Sequence, residues 1–381
     1  MYLSNKERDR RYNQLKEIMA RENVSALLAI GNQNIGGSAG TGNFRYLTDF
    51  FIIYQYGVLL FFREGPPTLL VSSELQRDWA NKYSWVEDVR ACSDYPEVVA
   101  RLIKEKGLKQ TKIGIAGMES IPAKAYLAIR EKLPEADFFD AGVILSGVRL
   151  IKGEEERQLL RRAAEINDEA YKEVLKHLQP GIKEYEIVGI VEGCQFRKGT
   201  DRTFNLISTG PFPVSATGVP FQYHPWFPEK REIQKGDCVL MEMTTVYGGY
   251  WNQLVRVVSV GQENPHLFRF QQALVKTIRA GLEKIHAGSK TSDFIQSMTS
   301  AAEKDGFKLN PIMGHFLGLD LTEARFDDTQ GQVVFAPGMA MVIHPTLYDP
   351  HEISMFWGQT YLTTNDGPIQ LNQTEDILLN T

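Results

Sequence analysis

Residues 239–256 read VLMEMTTVYGGYWNQLVR. An apolar run leaves, turns at Tyr247-Gly248-Gly249, and returns as a second apolar run. That is the pattern of a hairpin of two buried strands. Glu242 on the outgoing leg and Asn252 and Gln253 on the return leg break the apolar texture. Burying such groups unpaired costs roughly 1–3 kcal/mol each. Polar groups held at these positions imply a purpose, and the hairpin is expected to floor a site.

Working outward, helical patterns follow the hairpin at about 265–286 and 291–305. The last third, with GHFLGLDLTEAR, PGMAMVIHPTLYD and SMFWGQTYLTTNDG, reads as strands and turns. Before the hairpin lie a helix over 184–198, a loop rich in Gly, Pro and aromatics over 209–228, and one long helix over 149–178. Strands and helices without strict alternation predict an α+β domain over 149–381. Upstream, the short apolar runs SALLAI, VLLFF, TLLVS, KIGIAG and DAGVIL alternate with helical patterns at 7–22, 94–106 and 121–133. They predict an α/β domain over 1–148. The turn-rich stretch 30–43 reads as a loop. It does not read as a phosphate cradle, because no Gly-Lys-Ser/Thr follows and no helix is expected to open there.

With 381 residues and 43% hydrophobic content, the chain can bury large cores without disulfides or metals. A net charge of −5 argues against nucleic acid or an anionic membrane as the main partner. Three scattered cysteines fit a reducing compartment. The charged N-terminal stretch lacks the apolar core of a signal peptide, and no run is long enough to span a bilayer. A cytoplasmic protein with a small-molecule substrate is expected.

Polar residues in apolar, strand-like surroundings mark a candidate site. They are His224 after the aromatic loop, Glu242 and Gln253 in the hairpin, His315 in MGHFLG, Glu323 in DLTEAR, His344 in MVIHP and Gln359 in FWGQTY. Segments this far apart in sequence commonly assemble a pocket on an antiparallel sheet.

In order and spacing, GDCVLMEMTTVYGGYWNQLVRV, MGHFLGLDLTE, PGMAMVIHPTLY and GQTYLTTNDG resemble the four sheet motifs of the pita-bread fold. That fold is shared by Xaa-Pro aminopeptidases, prolidases, methionine aminopeptidases and creatinase. NFRYLTDF at 43–50 and RLIKGEEERQLLRRAAEINDEAY at 149–171 resemble the motif and linker helix of members with a creatinase-type N-terminal domain. The resemblance implies a creatinase-type α/β domain followed by a pita-bread α+β domain. It also implies a homodimer.

The family's metallopeptidases hold two divalent ions with two aspartates, one histidine and two glutamates. By the resemblance those positions are Glu242, Gln253, His315, His344 and Gln359 here. One carboxylate stands where four would be, and charge counting disfavours a pair of dications. The leading expectation is therefore a site without a cofactor, in which histidines carry the acid–base work. The alternative is one zinc, iron or manganese ion on Glu242, His315 and His344.

The creatinase branch implies His224 as general acid/base. The aromatic loop with Tyr223 and Trp226 would then cover the substrate, with Gln253 and Gln359 contacting it. Arg256 is read either as a carboxylate binder or as half of a structural ion pair. Glu323 is a possible second acid/base. Val255 and Thr322 depart from the family, replacing the acid near the arginine in creatinase and a second histidine in the peptidases. The functional expectation is a hydrolase of a C–N bond in a small non-peptide substrate. A lyase or single-metal enzyme, or a binding protein without catalysis, stays open.

Overall fold

The computed structural model describes residues 2–32, 41–52, 55–203, 205–211, 230–326, 333–351 and 353–381. The chain divides into two compact units, residues 1–155 with 319–323, and residues 156–318 with 324–381.

The first unit is built on a six-stranded sheet. Its strands are β1 (Ala26–Asn32), β2 (Tyr56–Phe62), β3 (Thr68–Val71), β4 (Asp88–Ala91), β5 (Lys112–Ala116) and β6 (Asp137–Asp140), in the order β4-β3-β2-β1-β5-β6. Five of the seven residues of β1, Ala26–Ile30, are wholly buried apolar groups, as a central strand covered on both faces requires. Helices α1 (Asn5–Arg21), α2 (Thr41–Thr48), α3 (Glu74–Tyr83), α4 (Tyr95–Glu105), α5 (Ala123–Lys132) and α6 (Gly142–Leu150) complete the unit. The Ser4, Ser73 and Asp94 side chains cap α1, α3 and α4 by accepting backbone N–H groups.

Two expectations fail here. A helix does open at the end of the glycine-rich stretch, where α2 begins at Thr41. The long helix expected over 149–178 is two helices. The first, α6, ends at Leu150, and α7 (Glu154–His177) starts after a break at residues 151–153. Gly153 sits in that break, where a Cβ would lie 2.8 Å from Glu7 Oε2.

The second unit carries the hairpin. In chain order its strands are β7 (Arg202–Thr203), β8 (Leu206–Pro211), β9 (Asp237–Tyr247), β10 (Tyr250–Ser259), β11 (Lys308–Leu309), β12 (Gly314–Phe316), β13 (Ala324–Arg325), β14 (Ala340–Ile343), β15 (Thr346–Tyr348), β16 (Ser354–Phe356), β17 (Gly358–Thr364), β18 (Gly367–Gln370) and β19 (Leu379–Asn380). The main sheet runs β13-β12-β14-β17-β10-β9-β7, with β8 also on β9, β18 on β17 and β19 on β10. Gly248 and Gly249 turn the hairpin with φ of 57° and 87°. Left-handed backbone at both central positions is what a two-residue turn matched to strand twist demands.

The sheet has two distinct faces. Val239, Met241, Met243, Leu254 and Val258 pack under α7 and α8 (Glu184–Arg197) in one apolar core. Helices α9 (Pro265–Leu282) and α10 (Thr291–Lys304) pack against each other further along the chain. Asn252 belongs to the helix-covered face. Its Oδ1 accepts from Asn167 Nδ2 at 2.9 Å and its Nδ2 donates to Asn372 Oδ1 at 3.0 Å. This buried amide thus serves the fold.

Candidate active site on the uncovered face of the sheet

Successive residues of a strand face opposite sides, and directly paired residues of neighbouring strands share a side. Glu242 pairs with Val255, and Thr244 with Gln253. Val255 in turn pairs with Gly358. Thr360, two residues beyond Gly358, pairs with Val342, which pairs with His315. All of these face away from α7 and α8. His344 joins them, its ring centroid 5.3 Å from that of His315 in an edge-to-face contact.

The register brings Glu242, Gln253, His315 and His344 to one face. It does not bring Gln359 or Arg256. Gln359 pairs with Leu254 and is wholly buried on the opposite, helix-covered face. There its Oε1 accepts from Arg256 Nη2 and its Nε2 donates to Tyr361 Oη at 3.0 Å. Arg256 also donates to the carbonyls of Val255, Gly358 and Thr374 and to Asp376, and stacks on Trp357 at 4.6 Å. From this position neither residue faces the site, which corrects the Gln359 assignment and leaves Arg256 its ion-pair reading, with Asp376 at 3.1 Å.

The position that faces the site is Gly358. A Cβ there would lie 2.0 Å from the Ile343 carbonyl oxygen and 2.5 Å from His344 Cα. The strand therefore closes on the His344 backbone, with no room for a side chain.

Glu323 is also misplaced by the sequence reading. It belongs to the first unit, where it accepts from Arg149 at 2.7 Å and from Lys152 at 2.5 Å. Arg149 further pairs with Asp320 at 2.8 Å and donates to Asn43. Burial raises the Glu323 pKa, but the Lys152 and Arg149 charges more than offset this and hold it below the usual range. A carboxylate locked between two cations is a poor acid/base. His224, Tyr223 and Trp226 lie outside the described residues.

Glu242 and His315 are partly exposed, while Gln253 and His344 are buried. Burial pushes the Glu242 pKa up to about 7, and the hydrogen bond from Gln253 Nε2 at 2.7 Å offsets part of that rise. His344 is driven down to about 3 by burial and by the neighbouring His315, so its ring is neutral near pH 7. It packs edge-on against Phe356 at 4.9 Å. His315 Nδ1 lies 3.3 Å from the Phe316 carbonyl oxygen, a contact it makes as a donor in the Nδ1-protonated tautomer. The arrangement offers one carboxyl titrating near neutrality, Glu242, beside the His315 imidazole and neutral polar groups. Sequence reasoning missed Thr244 and Gly358. Period-two counting along β9 from Glu242 is the signal that finds Thr244, whereas Gly358, one residue from Gln359 and on the opposite face, is found only from the strand pairing.

A two-unit molecule, creatinase-type at its N-terminus and pita-bread at its C-terminus, defines a class of hydrolases. A family model for "Creatinase/Prolidase N-terminal domain" matches residues 11–151, and one for "Metallopeptidase family M24" matches residues 158–365. The chain belongs to metallopeptidase family M24. It is 23% identical over 377 residues to a Xaa-Pro dipeptidase of Pyrococcus horikoshii, covering 95% of this chain and 97% of that one. Among solved structures, a Xaa-Pro dipeptidase from Bacillus anthracis superposes with a TM-score of 0.82 at 20% identity, over 98% of this chain and 100% of that one. An X-Pro aminopeptidase from Thermotoga maritima does so with a TM-score of 0.82 at 17% identity, over 97% and 99%. These structural likenesses show the fold.

Family membership corrects the expectation of a site without a cofactor, because a metallopeptidase family with prolidase relatives points to metal. The residues on the site face do not fit the family's pair of ions. Gln253 is a neutral amide committed to Glu242, Gly358 has no side chain, and Gln359 points to the other face. The three-ligand set of Glu242, His315 and His344 is not assembled either. Among the described residues no group of three or more His, Cys, Asp or Glu side chains is placed to share an ion. Among the described residues, no helix is long and apolar enough to cross a membrane.

Proposed function

We propose that the chain hydrolyses a C–N bond in a small non-peptide substrate, with Glu242 as general acid and His315 as general base. One observation carries this reading. A partly exposed carboxyl, Glu242, is held by Gln253 Nε2 at 2.7 Å on the same sheet face as His315 and His344, and desolvation raises its pKa to about 7. Enzymes tune carboxyls in this way for proton delivery.

His315 Nε2 takes a proton from water as the water oxygen bonds to the carbonyl carbon. The tetrahedral intermediate collapses, the C–N bond breaks, and the leaving nitrogen takes the proton of the Glu242 carboxyl. The proton on His315 then returns through solvent to Glu242, restoring both groups. Gln253 Nε2 fixes the Glu242 carboxyl through its 2.7 Å hydrogen bond. His224 competes with His315 for the base role by its resemblance to the creatinase branch.

The Pyrococcus relative, named a Xaa-Pro dipeptidase, favours a second reading, in which the same groups act on a dipeptide. A panel of N-acyl, N-carbamoyl and amidine compounds beside Xaa-Pro dipeptides separates the two. In the compound that turns over, Glu242→Gln is expected to lower kcat by about 10²–10⁴-fold, as loss of a general acid does. His315→Ala is expected to match it and His224→Ala to leave most of the rate. Unchanged turnover in Glu242→Gln would contradict the proposal. By the family resemblance we also propose a homodimer, which sedimentation at micromolar concentration checks.

A further inference from the structure

The proposed reaction leaves three buried polar groups of the site face unused. Thr244 Oγ1, Gln253 Oε1 and both ring nitrogens of His344 have no hydrogen-bond partner among the described residues. Thr244 and Gln253 are wholly or almost wholly buried, and His344 is 7% exposed. Leaving such groups unpaired is costly, and native structures do so mainly where a ligand or water completes them.

The placement of the three is specific. Thr244 and Gln253 are cross-strand partners, so their side chains stand side by side. Gln253 Nε2 is committed to Glu242, which leaves the amide oxygen as an acceptor. Thr244 carries a hydroxyl that both donates and accepts. Glu242 and His315, on the same face, are partly exposed, so solvent reaches this face beside the pair.

We infer that Thr244 and Gln253 form a subsite for the N–H and C=O of an uncharged amide-type group on the substrate, a carboxamide, lactam or ureide, set next to Glu242. This deepens the acid–base reading above and rests on it. The group's N–H donates to Gln253 Oε1, and the Thr244 hydroxyl donates to its carbonyl. A carboxylate at the same place would lose hydration without gaining a fixed counter-charge. His344 extends the neutral surface, since a neutral imidazole offers one donor and one acceptor. It is held against Phe356 and His315.

Matched small probes test the subsite without needing the natural substrate. Binding of 2-pyrrolidinone and of N-methyl-2-pyrrolidinone, which lacks only the N–H, is measured by ligand-observed NMR titration of the full chain. The wild type is expected to bind the N–H lactam about tenfold more tightly, the worth of one hydrogen bond to an otherwise unpaired buried acceptor. Gln253→Leu is expected to abolish that preference. Thr244→Val, which keeps shape and removes only the hydroxyl, is expected to weaken both lactams several-fold. Equal binding of the two lactams, no binding of either, or an unaltered preference in Gln253→Leu with affinities unchanged in a folded Thr244→Val protein would overturn the inference. Glu242→Gln keeps the two readings apart. If it is inactive while the wild type shows no lactam preference, only the subsite fails. If it turns over normally, the acid–base reading fails whatever the lactams do.

Discussion

At the residue scale, two glutamines that look alike in sequence do different work. Gln253 holds a carboxyl on the site face, and Gln359 holds a guanidinium on the covered face. Gln359→Leu would strand part of the buried Arg256 charge, and a hydrogen bond to a charged group is worth about 1.5–3 kcal/mol. We expect that loss in denaturant unfolding, with kcat and KM of the folded fraction unchanged. A fall in kcat without loss of stability would return Gln359 to the site. Glu323 was legible as an unusual acid in DLTEAR, but not as a locked one. Its partners Arg149 and Lys152 lie 174 and 171 positions away in sequence. Glu323→Gln leaves two buried cations with less counter-charge, and breaking such a cluster costs about 3–5 kcal/mol. The account predicts a loss of that size in global stability. A variant as stable as the wild type would show that the cluster is not a structural anchor.

At the element scale, the register of β17 decides which chemistry the sheet can carry. A one-residue slip moves every side chain of a strand to the other face. The motif GQTYLTT reveals a strand and its rough place, but its phase depends on the pairing of Leu254 with Gln359 and of Val342 with Thr360. That pairing is a tertiary fact, and neighbouring residues do not encode it. Gly358 is the physical mark of the register, because only a residue without Cβ lets β17 lie against the Ile343 carbonyl. Gly358→Ala is expected to cost at least about 2–3 kcal/mol by overpacking against backbone. It should also disturb His344 and lower activity. An alanine variant with native stability would mean that the strands lie farther apart than the close approach at Gly358 requires.

At the scale of the whole molecule, the succession of an α/β unit and an α+β unit was readable from hydrophobic periodicity, and its family from four sheet motifs. The break before α7 was not, because acids and bases run through 149–178 in a continuous helical pattern while Gly153 meets the Glu7 side chain from the far end of the unit. The identity of the site face was half readable. Glu242, Gln253, His315 and His344 stood out as polar groups in apolar strand patterns, whereas Thr244 looked like an ordinary strand residue. A Glu242 side chain with a raised pKa has a definite consequence for the intact enzyme. As general acid it must be protonated, so its contribution is present below its pKa and is lost as pH rises through about 7.

The most direct measurement is the pH dependence of kcat/KM for the wild type and Glu242→Gln on the same substrate. The account predicts a descending limb near pH 7 in the wild type, and a Glu242→Gln variant with a small residual rate that no longer falls across that limb. A Glu242→Gln enzyme that keeps both the rate and the limb would show that another group delivers the proton.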